Sequence, residues 1–173
     1  MGLKRLLIQN KRSILERWGH LILETYPGDT SKFMGQEKDP FVNPVGYTIA
    51  REIETLYEGL LQGREVDQLS GHLEKIVQIR SVQDFSPSRA VLFVPLFKKA
   101  VREEIKRSGI GTQELTEEWI EFDTRIDQLS LMAFDLYTKY RERIYDIRIS
   151  EMKKERDRAF RLLERTAPLS EKQ

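Results

Sequence analysis

His20 and His72 are the only histidines in this chain, so any imidazole chemistry, whether proton shuttling, phosphoryl acceptance or metal ligation, has two candidates. The residues three positions before them are Arg17 and Leu69, so the Glu-x-x-His pattern that builds di-iron sites in helical bundles is absent. His20 falls beside Leu21 on an inward-packing helix and reads as a partly buried or surface histidine rather than a metal ligand. His72 lies among apolar neighbours and is the one candidate for an axial haem ligand in a helical pocket. No metal is expected, and apart from that weak haem candidate no cofactor. Phosphoryl acceptance by either histidine lacks a nucleotide-binding domain to serve it.

The carboxylates offer little more. Glu103 with Glu104 and Glu117 with Glu118 are adjacent, and adjacent residues on a helix diverge by about 100° instead of converging on a substrate. Ser70, Ser81, Ser86, Ser88 and Ser130 stand in no G-x-S-x-G elbow, and no Walker-type or dinucleotide glycine pattern occurs. There is no cysteine, which excludes disulfides, thiolate metal sites and a cysteine nucleophile. No catalytic residue is identified, and the chain reads as a non-enzyme.

Stepping outward from these residues, Gln78 to Lys98 is the most informative run. Ser86 and Pro87 are a helix start, because a serine hydroxyl can accept from an orphan backbone N–H and proline at the first helical position loses nothing. Ala90, Val91, Leu92, Phe93, Val94, Leu96 and Phe97 follow, apolar almost all round, and predict a central core helix from Pro87 to about Arg107, closed by Ser108 and Gly109. Pro95 lies inside it and predicts a kink. Arg80, Asp84 and Arg89 surround the corner before this helix, where an ion pair or cap is expected over anion binding.

The rest is helical in period, with no strand-type alternation. Leu7, Ile14, Trp18, Leu21 and Ile22 share a face of a first helix from Leu3 to Thr25, stopped by Pro27 and Gly28. A long polar connection to Asn43 carries Phe33, Met34 and Phe41 and is expected to hug the surface. Asn43 and Pro44 start a second helix, with Val45, Ile49, Ile53, Leu56, Leu60 and Leu61 on its buried face and Gly63 at its end. A third runs from Asp67 to Gln83 on Leu69, Leu73, Ile76, Val77 and the stem of Arg80. The last begins after Thr112, with Glu114, Glu117 and Glu118 at its positive dipole end. Trp119, Phe122, Ile126, Leu129, Ala133, Leu136, Tyr140 and Ile144 form its stripe, which suits bundle packing or a coiled-coil seam. It reaches toward Thr166, a span on the order of 80 Å, and must either break near Ser150 or protrude and find a partner.

At 173 residues the chain fits one domain that buries roughly 70% of its unfolded surface. The 29 basic and 28 acidic residues leave a formal charge of +1, no basis for attraction to nucleic acid. Around Arg141 to Arg165 the basic residues are interleaved with Glu142, Asp146, Glu151, Glu155, Asp157 and Glu164, which reads as a solvated helix. The longest apolar runs fall short of the roughly 20 residues a membrane span needs, and the basic, broken N-terminus is unlike a signal peptide. A cytoplasmic protein with no membrane insertion is expected. Leu6 stands where a myristoylation pattern wants Ser or Thr.

The chain resembles the N-terminal sensor domains of RsbR and RsbRD type RsbT co-antagonists of bacterial stress signalling. The matching residues are ILERW at Ile14 to Trp18, ILETYP at Ile22 to Pro27, NPVGY at Asn43 to Tyr47 and IRSVQDFSPSRAVLF at Ile79 to Phe93, the last being the most specific. The resemblance covers about the first 140 residues. It implies an all-α, globin-like helical bundle without haem that dimerises through its helices. Family members are joined by a helical linker to a phosphorylatable output domain or a histidine kinase. Neither module is found before Gln173, so the chain reads as a stand-alone relative, and Pro95 departs from a helix that the family keeps regular.

The resulting expectation is a globin-like sensor domain over residues 1–147 and a charged helical extension over 148–173. It would be a homodimer through the long helices, acting by helix packing on an unidentified regulatory protein partner. Two alternatives stay open: a haem or small-ligand binding protein of the same fold, and a scaffold subunit docking by its C-terminal helix.

Overall fold

The structure, a computed structural model, describes residues 2–37, 39–83, 85–109 and 116–166, excluding the side chains of 116, 165 and 166. Asp84, Thr112, Glu114 and the side chain of Arg165 therefore lie outside the described residues. Within them the protein is an all-α bundle: α1 (Leu3–Gln9), α2 (Lys11–Leu23), α3 (Gly28–Gln36), α4 (Pro44–Leu61), a 3-10 turn (Val66–Leu69), α5 (Ser70–Val82), α6 (Pro87–Val91), α7 (Phe93–Ser108) and α8 (Thr116–Thr166). No described residue is in a strand.

The apolar stripes read from the sequence become one core. Ile14, Trp18, Leu21 and Ile22 of α2 meet Phe93, Val94, Phe97 and Val101 of α7, with Ile53, Leu56 and Tyr57 of α4 and Leu73, Ile76 and Val77 of α5 closing the sides. Phe97 is its aromatic centre, stacked on Trp18 at 4.4 Å and touching Tyr57 and Phe122 at 5.4 Å each. Phe122, Ile126, Leu129, Ala133 and Tyr137 of α8 cover the remaining face.

Three expected elements come out differently. The first helix breaks at Asn10, whose φ of −109° and ψ of 20° leave helical geometry and whose Nδ2 donates to the Leu6 carbonyl at 3.1 Å. The Leu6 carbonyl accepts from both the Asn10 N–H and the Asn10 side chain, a local side-chain-to-backbone bond of the kind asparagine favours outside helix interiors. The expected loop after Pro27 contains α3, of which only Met34 is buried, while Phe33 is half-exposed and Phe41 is 94% exposed. Buried Asn43 ties this segment down: its Oδ1 accepts from the Gly46 N–H and its Nδ2 donates to the Met34 and Glu37 carbonyls.

The central helix is two helices, not one kinked helix. The chain leaves α6 at Leu92 and restarts α7 at Phe93, which places Pro95 third in the new helix. The first turn of any helix has N–H groups without partners, so the missing proline N–H costs no ladder bond there, and the ring no longer presses on a continuing turn. Ser86 precedes Pro87 as expected, but its hydroxyl makes no capping bond and lies 3.4 Å from the Ser88 hydroxyl.

Candidate functional site

Breaking α6 from α7 strands carbonyls in the core, and the corner that follows α5 is built to receive them. Arg80, fully buried on α5, donates from Nε to the Ala90 carbonyl at 2.8 Å and from Nη2 to the Arg89 carbonyl at 2.8 Å and the Thr25 hydroxyl at 3.0 Å. The guanidinium is thus the C-terminal cap of α6, where the helix dipole is negative. Phe85 and Tyr26, packed edge to face on each other at 5.1 Å, both border it, with ring centroids 4.3 and 5.1 Å from Cζ. Burial presses the Arg80 pKa below its ordinary value while Tyr26 pulls it back; the group stays a cation because arginine does not deprotonate in proteins. Arg89 extends the device, its Nη2 donating to the Thr25 carbonyl at 2.7 Å, just beyond α2.

The same solution recurs where α8 meets the bundle. Arg125 donates to the Leu60 carbonyl at the end of α4 and to the Arg64 carbonyl. Arg141 donates to the Ser81 carbonyl at the end of α5 at 3.2 Å. Tyr137 reaches the Phe85 carbonyl at 3.4 Å and Tyr140 the Glu74 carboxylate at 2.8 Å. At the other end, Glu118 in the first turn of α8 accepts from the Lys4 N–H at 3.3 Å, so one carboxylate serves the positive ends of α8 and α1. Lys98 of α7 bridges Asp123 and Asp127. The long helix is therefore strapped to the ends of α1, α4 and α5 and to the Arg80 corner by directional bonds as well as by packing.

α8 then leaves the bundle. It is continuous through Ser150 for 51 residues, roughly 77 Å, and every residue from 145 to 164 is exposed. Of the two outcomes expected near Ser150, break or protrusion, the chain takes the second.

The two histidines pair with different carboxylates. His20 is exposed on α2, its Nδ1 3.0 Å from Glu24. His72, the candidate haem ligand, stands on α5 with its ring about one-third exposed and Nδ1 2.6 Å from Glu52. Among the described residues no three of His, Asp and Glu cluster to hold a metal ion.

Glu52 was invisible to sequence reasoning. It sits on the inward side of α4 with its side chain 1% exposed, bonded to His72, to Lys75 at 3.0 Å and to Arg51 at 3.0 Å. The signal that could have revealed it is its position four residues before Leu56 and one before Ile53, inside the apolar stripe. Burial works against its charged form, but the hydrogen bonds from His72, Lys75 and Arg51 outweigh it and hold the carboxyl below its ordinary value of 4.5. A depressed carboxyl stabilises the fold fully above the unfolded value, and that contribution is lost as pH falls through the folded one. Acid titrations of stability should therefore show a steeper loss below about pH 4.5 for the native chain than for Glu52→Gln; equal slopes would remove this assignment.

The other expected carboxylates are structural too. Glu103 takes a two-pronged bond from Arg17 at 2.5 and 3.1 Å, and buried Glu104 accepts from Ser13 at 3.1 Å and from Arg107. An open cleft of about 940 Å3 runs between α2, α3 and α4 over Leu15, Gly19, Leu23, Met34, Ile49 and Ile53, with His20 at its edge. It has an apolar floor and no group placed for covalent chemistry. What the arrangement can do is mechanical: a braced corner beside the end of α5 is coupled to a long projecting helix.

Residues 12–152 match the family model described as the RsbT co-antagonist protein rsbRD N-terminal domain. No curated protein and no solved structure matches the chain.

Proposed function

Because the chain belongs to the RsbT co-antagonist protein rsbRD N-terminal domain family, we propose that it is a non-catalytic sensory or regulatory module that works through helix packing and protein–protein contact. The observation that carries this reading is α8, half strapped to the core and half projecting. A ligand or partner that biases the packing of α6 and α7 against α2 changes the Arg80 corner, and the bonds of Tyr137 and Arg141 pass the shift into α8. In this reading residues 1–147 form the sensing bundle and 148–173 the extension that presents the change. No helix of the described residues is long and apolar enough to cross a membrane.

The module acts as a homodimer through the long helices and on a regulatory protein partner. Light scattering is expected to give twice the 20.4 kDa chain mass, and affinity purification from the native cell is expected to lose the regulatory partner when the chain stops at Tyr145, with the thermal transition of the bundle retained. A monomer at all concentrations, or a partner that stays bound to the shortened chain, would sink the reading.

A further inference from the structure

We infer that two copies of this chain pair antiparallel along α8, about a two-fold axis that passes between Arg141 and Glu142. The inference rests on the homodimer proposed above and specifies its orientation and register.

The face of α8 opposite the bundle carries an apolar seam that none of the described residues covers. At 100° per residue, Ile120, Leu131, Phe134, Tyr145, Ile149 and Met152 fall within about 40° of one line, diametrically across from buried Phe122, Leu129 and Ala133 and partly buried Leu136. Each of the six is at least 50% exposed; Leu131 reaches 68% and Met152 69%. The seam does not stop where the bundle stops: it runs in one phase from the strapped half of α8 into the projecting half. Its length, about 48 Å from Ile120 to Met152, times a helix width of about 10 Å, amounts to on the order of 500 Å2 per copy, at the low end of what one partner contributes to a specific interface.

Charge decides the direction. Asp127 and Arg156 lie on the same line as the apolar residues, both exposed. Parallel copies in register would set Asp127 against Asp127 and Arg156 against Arg156 along the contact. Antiparallel copies related about the point between 141 and 142 set Asp127 against Arg156 twice, and the same register brings Leu131 onto Met152, Phe134 onto Ile149 and Thr138 onto Tyr145. Asp127 already holds Lys98 at 2.7 Å and Arg156 holds Asp157 at 3.0 Å, so each is positioned before the partner arrives. Opposite charges across a seam favour one orientation, and like charges penalise the other. The bundles lie behind their own helices on opposite sides of the pair, so the projecting half of each α8 rests along the strapped half of the other.

The chain has no cysteine, so engineered thiols at these exposed positions report without background. Spin labels on Leu131→Cys or on Met152→Cys should each give an inter-copy distance of about 30 Å, twice the rise from the axis. A mixture of the two variants should form a disulfide-linked dimer that neither forms alone. Arg156→Asp should weaken dimerisation by about tenfold, and Asp127→Arg in the same chain should recover most of it. Distances near 10 Å with self-crosslinking at both sites would overturn the antiparallel register while leaving the homodimer intact. A chain that stays monomeric by light scattering would overturn the homodimer itself, and this inference with it.

Discussion

Replacing Arg80 by alanine should lower the unfolding free energy by about 3–5 kcal/mol, a large part of the roughly 5–15 kcal/mol that holds a domain of this size folded. The loss has two sources. The Arg89 and Ala90 carbonyls and the Thr25 hydroxyl lose their donor inside the core, and a cavity opens beside the Phe85 and Tyr26 rings where the guanidinium lay. Buried ion pairs can often be exchanged for apolar residues at little cost, because both charges leave together. Arg80 differs: its described acceptors are two backbone carbonyls and the Thr25 hydroxyl, and the carbonyls remain whatever replaces the side chain. Methionine should therefore fill the cavity and still leave the carbonyls unpaired, recovering less than half of the loss. Lysine keeps the charge but cannot fork to two carbonyls and the hydroxyl. Urea unfolding of the three variants provides the measurement, and a loss below about 1 kcal/mol for Arg80→Ala would show that the corner does not depend on this residue. Hydrogen exchange should rise at the same time around Phe85 and Tyr137, because the corner presents the carbonyl that Tyr137 holds.

Trp18→Ala should cost a similar 3–5 kcal/mol, for a different reason. Trp18 is 2% exposed and stacks on Phe97 at the aromatic centre, while its Nε1 donates at 2.7 Å to the carbonyl of Phe93, the first residue of α7. Truncation removes the largest apolar body in the core and frees the hinge between α6 and α7 together. Trp18→Phe separates the two contributions: it keeps most of the packing and deletes the donor, so it should cost about 1–2 kcal/mol. If phenylalanine proved as damaging as alanine, the bond to Phe93 would outweigh packing. If it proved neutral, the bond would carry nothing.

These residues show where sequence reading reached and where it stopped. Trp18 was legible because it belongs to a stripe of period 3.6 whose other members are Ile14, Leu21 and Ile22, and a stripe implies burial of all its members. Arg80 was half legible. Its position continues the stripe of Leu73, Ile76 and Val77, which placed its stem inside, but the need for a buried guanidinium arises only because α6 ends at Leu92 and leaves carbonyls there. Pro95 announced a disturbance in that helix without locating it. A kink and a break satisfy a proline equally well, and the choice fell to the packing of Phe93 and Val94 against α2. Glu52 left only a faint signal, its place beside Ile53 in the apolar stripe, and what makes its burial tolerable, His72 and Lys75, arrives from another helix.

By itself the sequence determined the all-α class, the inward faces, the proline-started helices at Pro44 and Pro87, the family, and the candidate site's most specific segment, because each follows from local composition or spacing. The tertiary structure alone decided that the Arg80 guanidinium and Glu52 are buried, that Pro95 begins a helix instead of bending one, and that α8 continues past Ser150 as a single projecting element. The physical reason is common to all three: whether a polar group, a proline or a long helix is tolerated depends on which atoms from distant parts of the chain meet its unsatisfied bonds or faces. Neighbours in sequence do not specify those atoms.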